Sequence, residues 1–154
     1  IGQVFYSVSS KIAIENREEL LPYLKKTTTL LFAISVVLFS IGIALSSFLF
    51  PIFFGKDYAE AVPYFNCLAI SAIFVFVQSP ISVISDIVNR LRPPFIFTVC
   101  SIIIKITVLL IAAQFLNNPV YMIALYAITT AGLSLFWILR LIKMAKEFSD
   151  RSQD

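Results

Sequence analysis

Three long stretches of the chain contain no Asp, Glu, Lys or Arg: Thr27–Gly55, Ala61–Ser85 and Ile106–Leu139. About 20 predominantly apolar residues in a helix cross the ~30 Å hydrocarbon core of a bilayer. Each stretch is long enough for that. Only 14% of the chain is charged and 59% is hydrophobic; a soluble domain carries about 25% charged residues and scatters them. The alternation of apolar and polar residues that marks a membrane barrel is missing. The fold class that follows is all-α, a polytopic membrane helix bundle.

Punctuation residues set the expected boundaries. Residues 1–14 (IGQVFYSVSSKIAI) read as the end of a preceding transmembrane helix, too short and too polar to span. Lys11 follows the apolar residues instead of preceding them, unlike a signal peptide. On these grounds the chain is expected to continue a larger membrane domain upstream. Residues 15–29 form a connector in which Asn16 and Glu19 have capping-box spacing and Pro22 disfavours a continuous helix. Four spans follow, over 30–50, 63–87, 94–115 and 120–142, then a tail over 143–154. Pro51 is expected to end the first span. Gly42 and Ser46 within it form a small-xxx-small pair suited to close packing. Pro63 fits a first helical turn, and Pro80 is the expected kink site of the second span. Asn117, Asn118 and Pro119 separate the last two spans.

Charge then orients the bundle. Of the twelve Lys and Arg residues, Lys11, Arg17, Lys25, Lys26, Arg90, Arg92, Arg140, Lys143, Lys146 and Arg151 fall before the first span, between the second and third, or after the fourth. Lys56 alone occupies the other loops. The positive-inside rule makes the first set cytoplasmic, with the C-terminus inside. The net charge of +3 is thus a topology signal, with no clustered basic face for nucleic acid. Aromatic residues (Phe48, Phe50, Phe53, Phe54, Tyr58, Tyr64 and Phe65) crowd the opposite boundary, where rings sit well at headgroup level.

Chemistry is sparse. The chain has no His, which removes the commonest general base and the usual zinc ligand. No metal set, phosphate loop or nucleophile–base pair occurs, so neither an enzyme nor a cofactor is expected. Cys67 and Cys100 read as packing residues. Lys105 falls in the middle of the third span, where a charge costs ~2.5–3.5 kcal/mol on insertion scales. Thr98 and Ser101 precede it by seven and four residues and share its helical face. Anion binding, a charge that moves during transport, and a helix-joining ion pair are all open to it. Gln78, Ser82 and Asp86 belong to a polar stripe on the second span, with Ser71, Ser85 and Asn89. Asp86 can pair with Lys105 only if the lysine reaches toward the membrane boundary. Ala124, Ala127, Ala131 and Ser134 give the fourth span a small-residue face for tight packing.

Residues 55–77 (GKDYAEAVPYFNCLAISAIFVFV) resemble the turn and following helix of the polysaccharide flippases, with Gly55, Tyr58, Ala61 and Pro63 at the Gly-x-x-Tyr-x-x-Ala-x-Pro positions. Residues 4–26 resemble the end of the preceding span and its connector in the same family. The resemblance implies the C-terminal lobe of an O-antigen or other lipid-linked oligosaccharide flippase. That family belongs to the multidrug/oligosaccharidyl-lipid/polysaccharide exporter superfamily of the cell inner membrane. It implies as partners the bilayer, an undecaprenyl-diphosphate-linked glycan, an N-terminal lobe of the same chain, and H+ or Na+ as coupling ion. Lys105 would face the diphosphate, with Thr98, Ser101, Gln78, Ser82 and Asp86 as further cavity residues. A multidrug or small-molecule exporter of the same superfamily and a non-transporting four-helix assembly subunit are the alternatives.

Overall fold

The computed structural model describes residues 2–15, 17–87 and 92–150. Asn16, Asn89, Arg90, Leu91 and Arg151 lie outside the described residues. All the regular structure within them is helical: α1 (Gly2–Glu15), α2 (Arg17–Phe54), a 3-10 segment (Lys56–Ala61), α3 (Val62–Ile81), α4 (Ile84–Ile87), α5 (Arg92–Phe115) and α6 (Pro119–Asp150). Four stretches are long and apolar enough to cross a membrane: Glu19–Phe54, Tyr58–Ile87, Arg92–Phe115 and Pro119–Ser149. In hydrocarbon every backbone N–H and C=O must be satisfied within its own segment, which leaves the helix as the form open to such runs.

Two helices are longer than any bilayer requires. The 38 residues of α2 measure roughly 57 Å at 1.5 Å per residue, and the 32 residues of α6 roughly 48 Å. Both exceed the ~40–45 Å of a bilayer with its headgroups, so each must tilt or extend past it. Pro22 does not interrupt α2; it is exposed beside Lys25 and Lys26, where water can take the carbonyl it leaves unpaired. Nor does α2 stop at Pro51 as the sequence suggests. It runs one more turn to Phe54, and the Gly55 amide donates to the Pro51 carbonyl at 3.1 Å. Gly55, at φ 95°, is what ends it. That left-handed conformation is open to glycine and costly for other residues.

The core sits at one end. Leu20, Leu24 and Leu31 of α2, Val77 and Ile81 of α3, Ile84 of α4, and Trp137, Ile138, Leu141, Met144 and Ala145 of α6 form the buried cluster. This end also carries Lys25, Lys26, Arg92, Arg140, Lys143 and Lys146, all exposed; it is called the basic end below. The opposite, aromatic end is held by a chain of ring contacts. Phe50 meets Phe65 at 5.4 Å and Phe54 at 5.7 Å, and Phe54 meets Tyr58 at 5.9 Å.

Between the ends, α3 is sandwiched by α2 and α6, and α5 packs on α6. Gly42 brings α2 onto α3: a Cβ added there would lie 3.6 Å from the Phe65 ring. One turn on, the Ser46 hydroxyl has two acceptors in reach of its single proton, the Ile43 carbonyl at 2.7 Å and Asn66 Oδ1 at 3.0 Å. The Gly42–Ser46 pair therefore does what its spacing implies. The Asn66 partner was not evident from spacing.

Two outcomes follow. Gly42→Ala should leave the protein's melting temperature near wild type, since 3.6 Å is ordinary contact distance, whereas Gly42→Leu should lower it by pushing α2 off α3. Gly55→Ala should destabilise by about 1 kcal/mol, read as a lower thermal midpoint in detergent.

Candidate functional site

The second span does not present one polar stripe, because its helix breaks. Pro80 has no N–H to give the carbonyl four residues back, and α3 ends at Ile81. Ser82 and Val83 form a turn before α4 resumes over four residues. The Ser82 amide still donates to the Gln78 carbonyl at 2.9 Å, but those of Ser85 and Asp86 reach only three residues back. The expected kink is thus a full interruption, and it scatters the stripe. Gln78 is half-buried on α3. Ser82 is half-buried, and its hydroxyl donates to the Ser79 carbonyl at 2.7 Å. Ser85 is buried, and its hydroxyl has no partner. Asp86 is exposed.

The third span keeps its face. Along α5, Phe97, Ser101, Lys105, Val108 and Ala112 recur at spacings of three and four residues. Ser101 and Ala112 are buried, and the other three are half-buried. Nearly everything else on α5 is exposed, as a lipid-facing helix requires. This seam faces α6, the one helix α5 packs against to any extent. Thr98 lies at its edge, exposed, donating to the Pro94 carbonyl at 2.9 Å. Lys105 makes no hydrogen bond or ion pair among the described residues. Asp86 is not brought to it, since α4 packs on α1 and α6.

On α6, Ala127, Thr130, Ser134, Trp137 and Leu141 are buried, in a helix that packs on α2 and α3 as well as on α5. Asn118 starts that helix: its side-chain oxygen accepts the Val120 amide at 2.9 Å, with Pro119 at the first helical position, where its missing donor costs nothing. Phe97 stacks on Trp137 with centroids 4.3 Å apart and planes 12° apart, which joins α5 to α6. Thr130 was missed from sequence. Its signal was the four-residue spacing to Ser134 on the same face. Its Oγ1 is buried without a partner, a state that costs ~1–3 kcal/mol.

The structure is a polytopic helix bundle of the kind that spans a membrane, with one unpaired cation within its spans. Among the described residues no metal-binding cluster forms. Residues 6–111 match the MatE family model, and the chain belongs to that family. Its members are exporters of the superfamily that the Gly55–Pro63 turn pointed to. The matched stretch holds α2 to α4, all six candidate residues and most of α5, and it stops short of α6. No curated protein and no solved structure matches the chain.

With Lys105 and Asp86 on elements that do not pack together, their effects should be independent. A double-mutant cycle of Lys105→Met and Asp86→Asn, read by thermal stability, should give a coupling energy within about 0.5 kcal/mol of zero.

Proposed function

We infer that this domain works in an exporter that moves an undecaprenyl-diphosphate-linked oligosaccharide from the cytoplasmic to the periplasmic leaflet of the inner membrane. The basic end, including the C-terminus, would be cytoplasmic by the positive-inside rule. The carrying observation is Lys105: half-buried at mid-span and without a partner. A cation is kept at that depth against an insertion cost of ~2.5–3.5 kcal/mol when an anion is to be met there. Alternating access by two lobes of helices around such a site is how repeat-built transporters generally work. Further spans of the same protein would close the cavity opposite α5, whose outer surface is almost wholly exposed. Thr98, Ser101, Gln78 and Ser82 would serve the cavity as polar contacts. Asp86, exposed at the basic end, is the weakest of the set. H+ or Na+ would drive the cycle.

Export of cationic drugs, the other branch of the superfamily, calls for buried carboxylates. Among the described residues Asp86 is the nearest to a span interior, and it is exposed, which supports the anionic substrate.

Lys105→Ala in the full-length protein should abolish delivery of glycan to the cell surface while an immunoblot shows normal membrane levels. Lys105→Arg, which keeps the charge, should retain part of it. Wild-type glycan export by Lys105→Ala would refute the role. Unchanged glycan export together with lost resistance to cationic drugs would move the protein to the multidrug branch.

A further inference from the structure

The outward face of α2 is not flat. Ala33, Ile34, Val37, Leu38 and Ile41 line a groove of about 430 Å³, within the ~300–1,000 Å³ range of ligand sites. All five are apolar and exposed, and they fall inside the membrane-spanning stretch Glu19–Phe54. Residues 33, 37 and 41 form one four-residue row of the helix surface, and 34 and 38 the next. Ala33, the smallest of the five, stands at the end nearer the basic end.

A helix or an acyl chain can fill an apolar groove in a span. Helices pack closely where small residues let their backbones approach. On α2 those residues point the other way. Ser35 and Ser46 are buried, and Gly42 and Ser46 meet Phe65 and Asn66 of α3. The outward face carries Leu30, Ile34, Val37, Leu38, Ile41 and Leu45 instead, each 45% to 59% exposed. A second backbone cannot come close to so bulky a surface, whereas a flexible acyl chain can follow it.

Charge selects the lipid. Lys26 is the last charged residue before the charge-free run that begins at Thr27. It precedes Leu30, Ala33, Val37 and Ile41 by 4, 7, 11 and 15 residues, so it stands on the groove's side of the helix. Its Cα lies about 10 Å along the axis from Ala33, more than the ~5–7 Å depth of a headgroup layer. With Lys26 at the headgroups, the groove therefore lies among the acyl chains of the same leaflet. Lys25 adjoins it. Both lysines are exposed, and neither forms an ion pair among the described residues. Helical side chains lean toward the N-terminus, which carries both ammonium groups away from the groove and toward water.

We propose that α2 holds one anionic glycerophospholipid, with an acyl chain in the Ala33–Ile41 groove and its phosphate against Lys25 and Lys26. The site shares no residue with the Lys105 face and does not depend on what the exporter carries.

The test is native mass spectrometry of the full-length protein with dioleoylphosphatidylglycerol or dioleoylphosphatidylcholine added. Each lysine near an anionic headgroup should contribute about fivefold, so phosphatidylglycerol should bind roughly 25-fold more tightly than phosphatidylcholine. Lys25→Gln combined with Lys26→Gln should remove that preference. Lys143→Gln combined with Lys146→Gln, at exposed cations of the same end on another helix, should keep it. Ala33→Phe, which fills the groove from an exposed position, should lose phosphatidylglycerol binding while the lipid-free protein melts at the wild-type temperature. Equal affinity for the two lipids, an equal loss from the two lysine pairs, or an Ala33→Phe variant that binds normally would each overturn the proposal. In cell membranes, p-benzoylphenylalanine in place of Val37 should photo-cross-link to phospholipid. Capture of a protein segment instead, from the same chain or a second copy, would overturn it too, because a helix would then fill the groove.

Discussion

Within hydrocarbon, burying a leucine against another helix gains little, because lipid tails are as apolar as the leucine. This constraint explains where the bundle puts its core. Leu20, Leu24, Leu141, Met144 and Ala145 are buried together on the parts of α2 and α6 flanked by Lys25, Lys26, Lys143 and Lys146. Where water competes, each fully buried Leu-sized side chain contributes about 1.5–3 kcal/mol. Leu31, Val77, Ile81 and Trp137 continue the same cluster into the apolar runs.

Nearer the middle of the membrane, different forces hold the helices. α2 approaches α3 where Gly42 removes a side chain, and the Ser46–Asn66 hydrogen bond follows one turn later; such bonds between membrane helices average about 0.6 kcal/mol. Phe32 with Phe74 at 5.9 Å and Phe39 with Phe76 at 6.4 Å add ring contacts along the same pair. α5 has no comparable set. It rests on α6 through one seam whose largest contact is Phe97 on Trp137, with Lys105 set into it. A helix held so lightly on one side is suited to shift relative to the rest.

The spans were legible because the bilayer imposes one pattern, long apolar runs without charge, and composition alone reports it. The aromatic corner was legible for the same reason, and Pro63 entered α3 in its first turn as its chemistry requires. Helix ends were less legible. Pro22 and Pro51 read as stops, but a helix tolerates a proline where water or neighbouring groups satisfy the freed carbonyl, and that depends on surroundings the sequence does not state. The break after Ile81 divided a stripe that looked continuous, since periodicity assumes an unbroken helix. Lys105, Ser101 and Thr98 were found because a charge in an apolar run is conspicuous. Thr130 was not, because a threonine normally satisfies itself on its own helix and its four-residue spacing to Ser134 does not say that this one does otherwise.

The position of Lys105 shows how the cost of an intramembrane charge is limited without an ion pair. A lysine pointing into lipid would have no polar group near it. Lys105 is instead half-buried on the same face of α5 as Phe97, Ser101, Val108 and Ala112, which limits its exposure to lipid. An ion pair with Asp86 would have stabilised the lysine more and left nothing for a ligand. The break at Ile81 and the separate packing of α4 keep that acid away. A mid-span lysine without a partner is a poor structural device, and its cost is limited only by its half-burial on α5.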